Sequence, residues 1–337
     1  MLRGGKVISF LDQNQSNPQI IAIVGLSKNA GKTSFMNWLI KNTAHKRIAV
    51  TTTGRDGEDF DLVTGEQKPK VKLHKNILFT AWSSVLYNMA SNLSCIESLP
   101  YHVLEQKLWL LKANDHLETE VVGPSTLKEQ EDLIDLFLRK TCSLVLIDGS
   151  FDRKSICLSP KITATVLVVG ASSGGIADIV EQLRKVQLCS QIKEFTIEYY
   201  QNITYSHHEK IIQSDINAIY GNESQIIDFF RLNPDWVYFP GFLVDSSYLK
   251  LNNIFGKHKT NIIFRHPLNI CLNKNNYLNL FNNHNVYAKT TFMLSAIAIN
   301  SYSPRQDHLD VDVLKTEVKK MFDHLPVIDT TEININE

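Results

Sequence analysis

The chain has 337 residues, and its 35 Lys plus Arg are balanced by 35 Asp plus Glu, so no charge excess draws it non-specifically onto nucleic acid or an anionic membrane. Its composition, 43% hydrophobic and 21% charged, is that of an ordinary globular protein, long enough for one large α/β domain or two smaller ones. No apolar run approaches the roughly 18 residues of a membrane span. The opening MLRGGKVISFLDQNQ lacks the apolar core and cleavage site of a signal peptide, and Cys95, Cys142, Cys157, Cys189 and Cys271 form no CxxC pair, which together fit a reduced cytoplasm.

Residues 1–18 read as a polar lead-in with a short strand over Lys6 to Leu11. Then comes QIIAIVGLSKNAGKTSFMNWLI, Gln19 to Ile40. Ile20 to Val24 is an apolar, β-branched run of the kind a buried parallel strand shows. From Phe35 the apolar positions Phe35, Trp38 and Leu39 recur at helical spacing. Between strand and helix lies G-x5-G-K-T, one residue longer than the usual phosphate-loop spacing. Small residues let main-chain N–H groups turn inward around phosphate oxygens, and the helix N-terminus adds partial positive charge. The expected nucleotide-binding residues are Gly25, Lys28, Asn29, Ala30, Gly31, Lys32, Thr33 and Ser34. Lys32 would reach the β- and γ-phosphates, and the Thr33 hydroxyl would hold Mg²⁺.

Lys46 to Thr52 predicts a second strand, ending in a loop that packs Arg55, Asp56, Glu58, Asp59 and Asp61 into a few positions. Such a run is either a solvated turn or, beside a phosphate loop, the source of a Mg²⁺-site carboxylate. Asp56 is nearest the strand end and Asp59 is second in line. Over 65–124, PKVKL, ILFTAW, KLWLLK and TEVVG read as short strands of an antiparallel insertion, interrupted by a helical piece near Ser83 to Ala90 and by CIESLP. Trp82, Trp109 and Tyr101 read as packing groups there.

Ser125 is the expected N-cap of a helix ending near Lys140. Next, SLVLIDGSFDRKS places Asp148 at the end of an apolar strand, where a second Mg²⁺-site acid belongs, with Asp152 and Arg153 following in the loop. TATVLVVG predicts another buried strand, and the Gly/Ser turn over 171–175 is either a second anion site or a simple tight turn before a helix. Phe195 to Tyr200 is expected as a strand, with Asn202 at its end approaching the nucleotide base. Polar residues over 205–222 suggest a boundary between a nucleotide-binding domain, 1–205, and a C-terminal α/β region, 206–337, in which strands and helices alternate up to a last strand near Pro326 to Asp329. His207 and His208 have no partner at metal spacing and read as surface.

The fragments GLSKNAGKT, TTGRDGEDFDLVTGEQKPK, GPS, LIDGSFDRKS and NSYSPRQDHLDVDVLKTEVKKMFDHLPVIDT, in this order, resemble the ATP-dependent reactivase subunit that accompanies the adenosylcobalamin-dependent lysine 5,6-aminomutase. The likeness runs from about Ile20 to Thr330. The longer loop spacing is also similar to the dethiobiotin synthetase branch of phosphate-loop proteins. That resemblance implies a P-loop NTPase fold, a mostly parallel sheet with helices on both faces. It also implies Mg²⁺ held between Thr33, Asp56 and Asp148, with Lys32, Asp56 and Asp148 as the catalytic set. The lysine that marks partition-type ATPases would fall at Ser27, with Lys28 one place off, so that dimer mechanism is not implied. The family resemblance implies ATP and Mg²⁺ as cofactors, and as partners the aminomutase and a companion reactivase subunit, with no nucleic acid and no membrane. Its implied activity is ATP-driven release of damaged cobalamin. A dethiobiotin-synthetase-like ligase for a small carboxylate and a GTP-dependent metal or cofactor chaperone are the alternatives, although no NKxD-type guanine motif is present.

Overall fold

The computed structural model describes residues 17–27, 29–53, 70–103, 105–150, 156–170, 173–255, 260–291, 293–300 and 310–330. Strand β1 (Gln19–Gly25) is buried from Ile20 onward, because parallel neighbours flank it on both sides. Gly31 opens helix α1 (Lys32–Asn42), which buries Phe35, Met36, Leu39 and Ile40 along one stripe. Strand β2 (Ile48–Thr52) is buried at every position. The next stretch holds β3 (Val71–Leu73), β4 (Leu78–Trp82), the short helix α2 (Ser83–Asn88), β5 (Leu93–Val103), β6 (Gln106–Ala113) and β7 (Leu117–Thr119). Helix α3 (Leu127–Arg139), β8 (Leu144–Ser150), β9 (Ala164–Gly170) and α4 (Ile176–Gln191) follow.

Two details of this half differ from the sequence expectation. CIESLP does not interrupt the strands but lies inside β5, whose ladder with β6 shifts register between Cys95 and Glu97 and again between Ser98 and His102. An edge strand with such irregularities accommodates Pro100, which has no N–H to donate. The N-cap of α3 is Thr126, not Ser125. Its hydroxyl accepts from the Glu129 N–H, and the Glu129 carboxylate reaches back to the Thr126 main chain in a capping box.

The chain then forms β10 (Lys193–Glu194), the hairpin β11 (Thr204–His207) and β12 (Lys210–Gln213), α5 (Glu223–Arg231), β13 (Trp236–Phe239), β14 (Leu243–Val244), α6 (Asp245–Phe255), β15 (Asn261–Phe264), β16 (Ile270–Cys271), α7 (Lys274–Asn283) and β17 (Val286–Ala288). Residues 195–200 are not a strand. Phe195 donates its N–H to the Ala288 carbonyl and Lys289 Nζ donates to the Ile197 carbonyl, while Tyr200 packs on Trp236 and Tyr238. The apolar pattern there serves an aromatic cluster rather than a ladder. Finally come β18 (Leu294–Asn300), α8 (Val311–Met321) and β19 (Val327–Asp329).

The chain divides into two compact units, 1–182 with 293–337, and 183–292. This partition differs from the expected boundary near 205, because β18 and β19 return to the first sheet rather than extend a C-terminal region. Among the described residues, nine strands form that first sheet, in the order β19-β18-β9-β1-β8-β2-β4-β6-β5. It is parallel from β19 to β4, and β6 and β5 extend it antiparallel. The insertion over 65–124, where described, is therefore mostly an edge of the main sheet. In the second unit, six strands run β10-β17-β15-β13-β11-β12, with β10, β17, β15 and β13 parallel. The structure is thus mixed α/β, built on a large, mostly parallel sheet.

Candidate functional site

The C-terminal ends of β2, β8, β1, β9 and β18 lie side by side, which is where ligands sit in open parallel sheets. Register places Asp148 of β8 opposite both Ile23 of β1 and Thr52 of β2, and Asn300 of β18 opposite Gly170 of β9. Because β8 separates β1 from β2, the loop after β1 emerges between the ends of β8 and β9.

That loop is closely held. The Leu26 N–H donates to the Val168 carbonyl at 2.9 Å, and the Ser27 and Ser173 hydroxyls are 2.7 Å apart. Ala30 is fully buried, and a Cβ on Gly170 would lie 2.5 Å from its carbonyl oxygen. Two residues take left-handed backbone, Asn29 at φ 63° and Gly31 at φ 96°. Asparagine tolerates that region better than most residues, and glycine enters it without a side-chain penalty. A Cβ on Gly25 would collide with the Ser27 carbonyl at 2.8 Å and crowd the Lys32 stem at 3.3 Å, so a larger residue here would displace the loop's main chain.

Lys32 is the first residue of α1, and its Nζ stands 3.9 Å from Asp148 Oδ1. Both side chains are largely buried, at 12% and 8% exposure, so water screens the pair weakly. The N-cap of α1 is Gly31, which has no side chain to offer, and the first turn contains no acid. At two other helices a carboxylate of this chain serves the start: Asp310 accepts from the Asp312 and Val313 N–H groups, and Asp178 accepts from the Gly175 N–H at 3.2 Å. The α1 terminus instead combines main-chain N–H groups with a lysine, the chemistry that receives a polyanion.

Of the remaining expected site residues, Thr33 and Ser34 occupy the first turn of α1. Lys28, the acidic loop with Asp56 and Asp59, and the Asp152 and Arg153 positions lie outside the described residues. The chain enters the acidic loop from Thr53, whose N–H donates to the Asp148 carbonyl at 2.8 Å. In the turn before α4 the Gly175 N–H donates to Asp178 at 3.2 Å, and the Ser173 hydroxyl meets that of Ser27 in the loop after β1. Asn202 belongs to the second unit, where its amide donates to the Ser214 carbonyl at 2.8 Å.

One residue of the site escaped the sequence reading. Asn300, 7% exposed at the end of β18, presses its side chain against Gly31, and Thr330 Oγ1 lies 3.5 Å from its Oδ1. The signal was present: LSAIAIN is an apolar strand ended by a polar residue, as LVLID is at Asp148. Among the described residues no group of three or more His, Cys, Asp or Glu side chains forms a metal cluster, and no helix is long and apolar enough to cross a membrane.

No protein-family model matches the chain, and no curated protein matches it. Among solved structures, the kinase domain of Escherichia coli tyrosine kinase ETK is similar at a TM-score of 0.28 and 10% identity, over 58% of this chain and 77% of that one. A likeness this distant assigns neither fold nor function.

Proposed function

We propose that the first unit is a phosphate-loop NTPase, that the chain is a Mg²⁺-dependent ATPase, and that it reactivates an adenosylcobalamin-dependent aminomutase by driving release of damaged cobalamin. The observation that carries the nucleotide half is Lys32, the opening residue of a helix whose N-cap is Gly31 and whose first turn holds no acid, with its ammonium 3.9 Å from Asp148 on the neighbouring strand. Main-chain N–H groups of Asn29 to Lys32 receive the phosphate oxygens. Lys32 neutralises charge on the γ-phosphate, where negative charge spreads as the bond to the leaving oxygen stretches. A water adds to the γ-phosphorus, the bond to the β-phosphate oxygen breaks, and ADP and inorganic phosphate leave, with the water's proton passing to solvent.

The donor set fits a hard cation. The Thr33 hydroxyl and the Asp148 carboxylate would hold Mg²⁺, with Asp56 or Asp59 as a second acid. When bound, Mg²⁺ offsets phosphate charge. Lys32 places an opposite charge 3.9 Å from the Asp148 carboxylate.

The mutase and the companion subunit rest on the family resemblance of the sequence fragments. Such a cycle is physically sound when the nucleotide-bound form prefers an opened mutase, since only differential affinity shifts a partner's equilibrium. The test is steady-state ATP hydrolysis with Mg²⁺, for the protein alone and then with an inactivated aminomutase plus the companion subunit, with GTP in parallel. Stimulation together with recovered mutase activity supports the reading. ATP turnover that ignores every mutase and rises with a small carboxylate replaces it with a ligase. Undiminished turnover by a folded Lys32→Ala variant removes the site assignment.

A further inference from the structure

Away from the loop after β1, one pair of side chains has a geometry that packing alone does not require. The β3–β7 ladder pairs Val71 with Thr119, Lys72 with Glu118 and Leu73 with Leu117, so His74 and His116 fall at the next rung. Their rings meet edge to face, with centroids 4.9 Å apart and planes at 85°. The two Nδ1 atoms are 3.2 Å apart. Two nitrogens sharing one tetrahedral ion, each at about 2.0–2.1 Å, stand about 3.3 Å from one another. The 3.2 Å separation is that of an N–H···N hydrogen bond between the rings and also matches the bite of a two-nitrogen chelate.

The setting favours a cation. The His74 ring makes a hydrogen bond with the Ile40 main chain. Ile40 lies in the last turns of α1, where helix carbonyls carry partial negative charge. The scaffold is pinned as well. Asn37 of α1 accepts from the Lys72 N–H at 2.9 Å and donates to the Lys70 carbonyl at 3.1 Å, fixing β3 to the helix. The His116 N–H donates to Asp115 Oδ1 at 2.7 Å, which orders the turn before β7.

We propose that His74 and His116 form a two-histidine chelate for a divalent transition ion, with solvent completing its coordination. Two imidazoles select ions such as Cu²⁺, Ni²⁺ or Zn²⁺ over Mg²⁺, which prefers oxygen ligands, so this site is chemically distinct from the nucleotide's metal. A bound ion would join the end of β3 to the start of β7.

The experiment is calorimetric titration of Ni²⁺ into the full-length, metal-free protein carrying no polyhistidine tag. One equivalent is expected to bind, with affinity weakened tenfold or more by His116→Ala and by His74→Ala, each checked for an unchanged circular dichroism spectrum. The adjacent rings of His207 and His208, with centroids 4.1 Å apart, are the internal control, and their double replacement by alanine is expected to leave that binding intact. No Ni²⁺ binding by the wild-type protein, equal binding by the His116→Ala variant, or loss of binding in the His207/His208 variant each overturns the proposal.

Discussion

Asn300 and Gly31 are in contact across the site: a Cβ on Gly31 would fall 2.6 Å from Asn300 Cγ and 2.7 Å from its Cβ. The last residue of β18 thus closes on the residue that opens α1, although 1–182 and 293–337 are separated in the chain by the whole second unit. Gly31 also has φ 96°. Gly31→Ala therefore incurs about 1–2 kcal/mol for left-handed backbone, plus the collision. It is expected to lower the melting temperature and to weaken nucleotide binding at least tenfold. Adding Asn300→Gly should recover part of the loss, because it removes the atoms struck. Thermal unfolding and nucleotide titration of the two variants check this, and a Gly31→Ala protein as stable as wild type would contradict the contact.

Asp148→Asn keeps the shape of the side chain and removes the charge that faces Lys32 at 3.9 Å. ATP turnover is expected to fall about 100-fold or more, in line with losing a preorganised charge at a phosphoryl-transfer site. The Mg²⁺ concentration for half-maximal rate should rise. Turnover against Mg²⁺ concentration distinguishes this from simple unfolding, which far-ultraviolet circular dichroism would report.

Acid stability should fall in a defined window. Burial, and then the neighbouring Arg265, push the His266 pKa down to about 3. The unfolded histidine takes its proton near pH 6.5, so between about pH 6.5 and 3 the unfolded chain binds more protons than the folded one. Stability contributed by this residue is complete above that range and is lost as pH falls through it, by up to about 1.4 kcal/mol per pH unit. His74 and His284, both lowered chiefly by burial, add in the same direction. His266 Nδ1 accepts from the Leu268 N–H at 3.2 Å, so His266→Asn preserves an acceptor there. Its denaturation midpoint should depend less on pH between 6 and 4 than that of the wild type.

Thiol labelling should be selective. Cys95 is exposed, whereas burial raises the Cys142 and Cys189 thiols to about 11. The thiolate is the reactive form, so a disulfide reagent at pH 8 is expected to modify Cys95 within minutes and Cys142 and Cys189 only after denaturant is added. Mass mapping of the modified peptides reads this directly. Labelling of Cys189 in the native protein at the rate of Cys95 would show that its burial is not maintained.

Much of this architecture is legible in short runs of residues. QIIAIVG, LVLID, ATVLVVG and LSAIAIN are each long enough and apolar enough to be buried strands, and each ends in a small or polar residue at the C-terminal edge of the sheet. Glycine followed by Lys32 and an amphipathic stripe marks the start of α1 without reference to anything distant. These signals are local, set by backbone sterics and by periodicity, and so the chain by itself determined them. Tertiary structure decided which strands are neighbours. CIESLP became part of β5 because β6 offered an edge to pair with, and 195–200 stayed outside a ladder because its aromatic residues pack instead. Tertiary structure alone brought Asn300 to Gly31 and His74 to His116, and returned β18 and β19 to the first sheet past the second unit. Those contacts join residues far apart in the chain, and hydrophobic patterning says which face is buried but not what it is buried against.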